Sequence, residues 1–310
     1  SDIKKLFSLV IPVYYNEESL DKLFNELFNL EKKLLKINIQ IEIIFVEDGS
    51  KDNSFNKLLK LKNKRENIKI IKHTRNFGAV IATKTGKKFV KGDCCAVIAA
   101  DLQDPIDILY DMVQNWLEGN KYVIAVRKTR KDPIVTKLFS FLYYKILRNF
   151  VINDYPKGGF DLALIDKTLL KYFQNSGKNI NPSLYGHWLG FKPKIIKYDR
   201  LERQHGKSRW TFKKKLNFFL DSVLGFSVKP IRSILTIGLI ISFFSFLYFG
   251  LVIINAFNGN VDVKGFSTIV ALISFFFGVV ISMLGIIGEY IWRIFDELNK
   301  KPESVIEEIY

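Results

Sequence analysis

Two long stretches in the C-terminal third of this 310-residue chain contain no charged residue. They cover residues 233–261 and 265–288, and about 20 apolar residues in a helix are enough to cross a bilayer core. We therefore predict a two-helix transmembrane domain over residues 231–292, with a link too short to form a domain. The alternative is a pair of buried core helices in a soluble protein, where stretches of such length and purity are rare.

Basic residues flank the two stretches and are scarce in the link between them. The flanking residues are Lys213, Lys214, Lys215, Lys229 and Arg232 before the first stretch and Arg293, Lys300 and Lys301 after the second, against Lys264 in the link. Cytoplasmic segments of membrane proteins carry an excess of lysine and arginine. The pattern therefore predicts that both ends are cytoplasmic, including a C-terminal tail over residues 293–310.

Residues 211–230 form an amphipathic segment ahead of the first stretch. Its apolar residues share one face of a helix: Phe212, Leu216, Phe219, Leu220, Val223 and Leu224. This pattern predicts an interfacial helix that lies on the membrane. The alternative is an amphipathic helix packed on a protein core.

Residues 1–210 alternate between apolar, β-branched runs and helix-like segments, which predicts one α/β domain. The runs are 6–13, 39–46, 68–74, 94–100 and 122–126. The helix-like segments are 19–36, 54–64, 79–91 and 106–118. Repeated strand–helix units predict a mostly parallel sheet with helices on both faces. Ligands of such open sheets bind at the carboxyl ends of the strands.

Polar motifs follow all five predicted strands. In chain order they are "PVYYNEE", "EDGS", "TRNFG", "DLQDP" and "RKTR". Because parallel strands end at the same edge of a sheet, we expect these motifs to line one edge. The formal net charge of +16 indicates an anionic partner there or at a membrane surface. No nucleic-acid-binding motif is present, and the basic residues crowd near the membrane segment, so we expect no nucleic-acid partner.

Asp101 and Gln103 lie two residues apart at the end of the fourth predicted strand. Their oxygens are hard ligands suited to Mg²⁺ or Mn²⁺, ions that complete their coordination with water and substrate phosphates. A sparse acidic site in a basic protein therefore fits a metal–diphosphate complex. The alternative is that Asp101 caps the helix that begins near Pro105, a role that we assign to Asp104.

Six segments occur in a fixed order: "IPVYYNEESL", "FVEDGSKDNS", "HTRNFGAVIATKTG", "KGDCCAVIAADLQDP", "KGGFDLALID" and "RQHGKSRW". This ordered set resembles the glycosyltransferase family 2 enzymes with a GT-A (Rossmann-like) fold. It is most similar to the polyprenyl-phosphate branch, which includes the dolichyl-phosphate mannose synthases and the bactoprenol glycosyltransferases. The resemblance covers residues 5–232, and the two following apolar stretches match the membrane-anchored bacterial members.

The resemblance implies a metal-dependent, inverting hexosyltransferase of the bacterial cytoplasmic membrane, with its catalytic domain and both termini in the cytoplasm. It would move one sugar from a nucleotide-sugar donor, a UDP-hexose or UDP-N-acetylhexosamine, to undecaprenyl or dolichyl phosphate. The product would serve cell-envelope glycan modification. We also expect a homo-oligomer. Ser274, Gly278 and Ser282 have the small-residue spacing of close helix contacts, so we expect them to pack against a helix within the chain or in a homo-oligomer. The alternative is that these small residues face lipid.

The resemblance also implies roles for individual residues. Asp101 and Gln103 would hold Mg²⁺ or Mn²⁺, and Arg127 and Arg130 would meet the acceptor phosphate. The donor would be bound by Pro12, Tyr14, Asn16, Glu17, Asp48, Arg75, Arg203, Lys207 and Ser208. Asp161 would orient the sugar or acceptor, or would form a structural salt bridge. His73 and His187 are assigned to structure.

Three departures from the family pattern leave alternatives open. Ala99 stands where many members have the first Asp of Asp-x-Asp, the doubled Tyr14–Tyr15 shifts the following motif, and Asp161 is displaced within its own motif. One alternative is a catalytically inactive relative that binds nucleotide sugars as a scaffold. Another is a polysaccharide synthase, although two membrane spans are too few for a channel in one chain.

Overall fold

The computed structural model describes residues 4–128, 134–156, 158–177, 180–201, 219–258 and 265–310. The chain divides into two compact units. The first comprises Ser1–Ser222 together with Pro302–Tyr310, and the second comprises Val223–Lys301.

The first unit is built on an eight-stranded sheet. In chain order the strands are β1 (Lys5–Val13), β2 (Ile39–Glu47), β3 (Ile68–His73), β4 (Cys94–Val97), β5 (Tyr122–Arg127), β6 (Leu162–Asp166), β7 (Lys194–Tyr198) and β8 (Ile306–Ile309). Their order across the sheet is β7-β5-β6-β4-β1-β2-β3-β8. Only β6 and β8 are antiparallel to their neighbours in the described sheet. The mostly parallel sheet is therefore confirmed, and β6, β7 and β8 are additions to the five strands predicted from the sequence.

Seven helices of the first unit lie wholly within the described residues: α1 (Glu17–Leu35), α2 (Ser54–Lys62), α3 (Ala79–Lys87), α4 (Ile108–Leu117), α5 (Ile134–Phe150), α6 (Lys167–Gln174) and α7 (Pro182–Trp188). Side chains of β1 alternate between two hydrophobic clusters, as expected of a strand buried on both faces. Leu9 packs in the cluster that contains Leu20 of α1. Val10 packs in the other cluster, with Ala82 of α3. Helices therefore cover both faces, as the alternating pattern predicts.

The second unit contains two long helices, α8 (Lys229–Phe257) and α9 (Phe266–Leu298). The helices cover residues 233–257 of the first uncharged stretch and 266–288 of the second, and many large apolar side chains along them are exposed, such as Leu239, Phe243 and Leu284. Among the described residues, one helical stretch, Phe275–Leu298, is long and apolar enough to cross a membrane. Both transmembrane spans stay predictions. Residues 211–218 of the amphipathic segment lie outside the described residues, while residues 219–224 are helical, with Ser222 and Val223 buried.

The chain re-enters the first unit after α9. Strand β8 pairs antiparallel with β3 at the edge of the sheet, with Ile71 opposite Ile309 and His73 opposite Ile306. Residues 293–310 were predicted to form a tail, without this strand. Four residues with two central glutamates carry too little apolar pattern to indicate a strand.

His187 of α7 lies in an aromatic cluster of the first unit. Its ring stacks on Phe160, with the ring centroids 5.5 Å apart, and its Nδ1 lies 3.1 Å from the Tyr122 hydroxyl. Its Nε2 is buried with no hydrogen-bond partner among the described residues. Burial lowers the pKa of His187 from its ordinary 6.5 to about 4. The folded chain therefore holds this ring neutral at pH values where the unfolded chain protonates it.

We expect this ring to destabilise the first unit in mild acid. Between pH 6.5 and 4 the unfolded state binds the proton and the folded state does not, so the free energy of unfolding falls as the pH drops. The contribution of His187 is about 2–3 kcal/mol over this window. Thermal or urea unfolding at pH 7, 5.5 and 4.5 gives the slope of the free energy of unfolding against pH for wild type and for His187→Phe. The difference between the two slopes measures the contribution of His187. Parallel slopes would contradict the prediction.

Candidate active site

The loops after β1 and β2 are joined by hydrogen bonds from backbone amides to side chains. Asn16 N–H donates to Ser54 Oγ at 3.0 Å, and Tyr15 N–H donates to Ser50 Oγ at 3.0 Å. Asn16 Oδ1 accepts from Tyr14 N–H at 2.9 Å within its own loop. These bonds fix Tyr14, Tyr15 and Asn16 at the carboxyl end of β1. Their expected contacts with a nucleotide stay predictions.

Pro12 and Glu17 also lie at this edge of the sheet. Pro12 sits in β1 opposite Val46 of β2. The ladder between β1 and β4 ends at Val10, so the missing N–H of Pro12 breaks no pairing on that side. Glu17 Oε2 accepts from Asn53 N–H at 3.0 Å, which ties α1 to the loop before α2.

Asp48 follows β2 and holds the loop between β3 and α3. Its Oδ1 accepts from Phe77 N–H at 2.9 Å and its Oδ2 from Gly78 N–H at 2.8 Å. The side chains of Asn76 and His73 bond the same carboxylate, at 3.1 and 2.8 Å. A carboxylate has about four acceptor sites, so these contacts use its capacity. In the structure, Asp48 therefore holds this loop in place through four hydrogen bonds.

The loops after β2 and β3 touch at Gly49. Its φ of 74° lies in the left-handed region, and a Cβ there would stand 2.6 Å from the carbonyl carbon of Arg75. Only glycine fits this approach. Arg75 itself is exposed, and its guanidinium lies over the Phe77 ring, 4.1 Å from the centroid. The expectation that Arg75 binds the donor stays a prediction.

Asp101 and Gln103 flank a strained residue. Leu102 has a φ of 57° and is buried, a conformation that a non-glycine residue adopts only where its surroundings enforce it. Gln103 N–H lies 3.3 Å from Asp101 Oδ1. Gln103 Oε1 accepts from Arg200 Nη2 at 3.1 Å, and its carbonyl accepts from Leu201 N–H at 2.8 Å. The turn after β4 is thus bound to the segment after β7.

Asp104 does not cap a helix, so that prediction is wrong. Helix α4 begins at Ile108 instead of Ile106, and its N-cap is Asp107. Asp104 is buried and accepts from the Tyr198 hydroxyl at 2.6 Å, with Arg200 Nε 3.2 Å away. Burial raises the pKa of Asp104 above its ordinary value, while the Tyr198 bond and the Arg200 charge act in the opposite direction.

Arg127 and Asp161 form a bidentate ion pair. Arg127 Nε donates to Asp161 Oδ2 at 2.7 Å, and Nη2 donates to Oδ1 at 2.5 Å. Both side chains are largely buried, at 21% and 15% exposure. Arg127 ends β5 beside Tyr198 of β7, and Asp161 N–H bonds the Ala125 carbonyl, so the sheet sets the geometry of the pair. Of the two roles left open for Asp161, the structure shows the salt bridge.

Four expected site residues, Arg130, Arg203, Lys207 and Ser208, lie outside the described residues. The structure also brings in polar residues that the sequence analysis did not single out for the site: Thr85, Tyr198 and Arg200. Their partners are remote in sequence, and no local motif marks them. His73 was assigned to structure, and its contact with Asp48 connects it to the site.

The donor set around Asp101 fits a divalent cation. Among the described residues, no group of three or more His, Cys, Asp or Glu side chains could hold a metal ion by itself. Asp101 and Gln103 offer one carboxylate and one amide, which are hard oxygen ligands. Mg²⁺ and Mn²⁺ commonly bind to such a sparse set together with substrate phosphates.

The fold is that of an α/β protein with a mostly parallel sheet, and the strand ends where ligands of such sheets bind carry the predicted site residues that the structure describes. The family model "Glycosyl transferase family 2" matches residues 8–173, which is more than half of the chain. This chain belongs to glycosyltransferase family 2, and the resemblance drawn from its sequence motifs is confirmed.

Relatives match the chain nearly end to end. "Putative glycosyltransferase CsbB" of Bacillus subtilis is 34% identical over 98% of this chain and 92% of its own length. "Bactoprenol glucosyl transferase" of Shigella phage SfII is 28% identical over 97% of both chains. Among solved structures, glucosyl-3-phosphoglycerate synthase from Mycobacterium tuberculosis superimposes with a TM-score of 0.50. That alignment has 14% identity and covers 71% of this chain and 80% of the other, so it shows the fold alone.

Proposed function

We propose that this chain is a membrane-bound, inverting glycosyltransferase that moves a single sugar from a nucleotide-sugar donor to polyprenyl phosphate. The observation that carries the proposal is the similarity to a bactoprenol glucosyl transferase over 97% of both chains. That similarity includes the region of α8 and α9, so it extends beyond the domain that family 2 members share. Such a membrane segment would keep the catalytic domain close to a lipid acceptor.

The donor site is proposed at the loops after β1, β2 and β3. Asp48 and Gly49 bring these loops together, and Arg75 is exposed at the same edge. Asp101 and Gln103 would hold Mg²⁺ or Mn²⁺, which would neutralise charge on the diphosphate of a UDP-hexose or UDP-N-acetylhexosamine. The cationic residues Arg203 and Lys207 are proposed to bind the same diphosphate.

The acceptor needs no strong base. A phosphate monoester has its second pKa at about 6, so the lipid phosphate is already anionic near neutral pH. In an inverting displacement its oxygen attacks the anomeric carbon opposite the departing nucleoside diphosphate. The task of the protein is then to position the nucleophile and to control charge. We assign Arg127, held by Asp161, and Arg130 to the acceptor phosphate.

The proposed setting is the bacterial cytoplasmic membrane. Helices α8 and α9 would be its two spans, the segment 211–230 would lie on its surface, and both termini would be cytoplasmic. The Ser274, Gly278 and Ser282 stripe on α9 is proposed as a helix contact in a homo-oligomer. The lipid-linked sugar would then serve cell-envelope glycan modification.

A transfer assay tests the proposal directly. Purified full-length chain in detergent is incubated with Mn²⁺, undecaprenyl phosphate and a panel of labelled nucleotide sugars. We expect label from one or a few donors in a lipid product that carries one sugar. A growing polymer would favour a synthase, and nucleotide binding without turnover would favour an inactive scaffold; either result overturns the proposal. Omission of the lipid phosphate is the control and should remove the product.

A further inference from the structure

The C-terminal segment, residues 302–310, is built into the edge of the catalytic sheet. Ile70 and Tyr310 exchange two backbone hydrogen bonds, at 3.0 and 2.9 Å, and Thr74 N–H donates to the Val305 carbonyl at 3.1 Å. The Tyr310 ring packs near Phe55, with centroids 5.5 Å apart. The segment thus covers the backbone groups that β3 would otherwise present at an open edge.

A chain of hydrogen bonds runs from this segment to the carboxylate that holds the β3–α3 loop. Ser304 Oγ lies 2.8 Å from Thr85 Oγ1, which lies 3.1 Å from His73 Nε2. His73 Nδ1 lies 2.8 Å from Asp48 Oδ1. A neutral His73 ring with its proton on Nδ1 satisfies every link: it donates to Asp48, accepts from Thr85, and Thr85 accepts from Ser304.

A buried ion pair fixes the start of the same segment. Lys84 of α3 is 6% exposed and donates from Nζ to Glu303 Oε1 at 2.8 Å and to the Gly177 carbonyl at 2.7 Å. Lys84 and Thr85 are adjacent on α3, so Glu303 and Ser304 contact neighbouring positions of one helix. That helix begins at Ala79, directly after the loop held by Asp48. The contacts therefore constrain both the helix and its leading loop.

We propose that Glu303 and Ser304 are positioning residues of the donor site, acting through Thr85, His73 and Asp48 on the loop of residues 74–78. The nucleotide-sugar site would then be complete only when the segment after α9 is docked on β3. This inference rests on the proposed function for the identity of the ligand. The connection itself rests on the contacts described above.

Ser304→Ala removes one hydroxyl and leaves the strand pairing intact. Loss of a neutral hydrogen bond of this kind should raise the donor KM by about two- to tenfold. The KM for undecaprenyl phosphate should stay unchanged, as should the Tm. Ser304→Thr restores the hydroxyl and should recover most of the donor affinity. Glu307→Gln is the matched control, because Glu307 lies in the same C-terminal segment but is half-exposed and pairs with Lys72 at 3.0 Å.

Hydrogen exchange of the ligand-free protein provides a readout that does not depend on the transfer reaction. Amides of residues 74–79 should exchange faster in Ser304→Ala than in wild type or Glu307→Gln. If wild type transfers no sugar, the proposed function fails. The comparison of hydrogen exchange still tests whether Ser304 positions the loop of residues 74–78. Unchanged exchange in the 74–79 loop, or a Ser304→Ala variant that alters the two KM values equally, would overturn it.

Discussion

Asp101→Asn is expected to lower sugar transfer by at least about a hundredfold, with the fold intact. Asp101 supplies the only carboxylate of the proposed metal pair, and asparagine keeps its shape while removing its charge. The side-chain carbonyl of asparagine can still accept the bond that Gln103 N–H makes to Asp101 Oδ1. The free energy of unfolding should therefore change little, while the metal–diphosphate contact is lost. Initial rates at several Mn²⁺ and Mg²⁺ concentrations, together with the Tm, measure both effects.

The matched control is Asp107→Asn. Asp107 lies six positions along the chain in the same region, but it is 64% exposed and bonds Lys33 on the surface. Its replacement should leave transfer within about twofold of wild type, because exposed ion pairs contribute little. Full activity of wild type in excess chelator would show that the reaction needs no divalent ion. Full activity of Asp101→Asn would remove this residue from the site.

The five predicted strands were recognisable because each is a short apolar run bounded by polar turns. Strands β1 and β2 are buried on both faces, which makes their apolar runs nearly continuous. Strand β7 was missed because three of its five residues are exposed and two lysines flank its two isoleucines at the sheet edge. Strand β8 was missed because it is held by pairing with β3, a partner more than two hundred residues away. Local pattern carries no information about such pairing.

In the site, too, local sequence pattern predicts positions but not long-range contacts. Asp101, Gln103 and Arg127 could be placed at one edge because each directly follows or ends a predicted strand. The partners of the residues in this loop could not be predicted, because they are distant in sequence. Arg200 bonds Gln103 from 97 positions away, and Tyr198 bonds Asp104 from 94 positions away. The capping prediction for Asp104 failed for this reason. An Asp before a Pro favours a helix start, but here the Asp104 carboxylate accepts a long-range hydrogen bond from Tyr198.

The second large effect is expected at the Arg127–Asp161 pair. Arg127→Lys keeps the charge but cannot reproduce the paired hydrogen bonds of a guanidinium to a carboxylate or a phosphate. Transfer should fall by about ten- to a hundredfold, the equivalent of a lost charge-assisted hydrogen bond. The loss should appear in the dependence on undecaprenyl phosphate, with the donor KM nearly unchanged. Kinetics with each substrate varied in turn, at two salt concentrations, measure it.

Lys128→Gln is the matched control for Arg127→Lys. Lys128 follows Arg127 directly and pairs with Asp199 at 2.9 Å, but its side chain is 52% exposed. Because salt screens exposed charges, its replacement should cause a small change that high salt removes. If Arg127→Lys keeps the wild-type lipid dependence and loses donor affinity, the arginine belongs to the nucleotide site and its assignment to the acceptor is wrong.

A double substitution separates an acceptor role from a purely structural pair. Asp161→Asn alone leaves the largely buried Arg127 without its carboxylate, so it should lower both stability and transfer. Arg127→Met combined with Asp161→Leu removes both charges, and such apolar replacements of a buried pair often restore stability. If the pair only holds β5 to the segment before β6, the double variant should regain transfer together with its Tm. If Arg127 binds the acceptor phosphate, the Tm should recover while transfer stays lost, because no guanidinium remains to position the nucleophile.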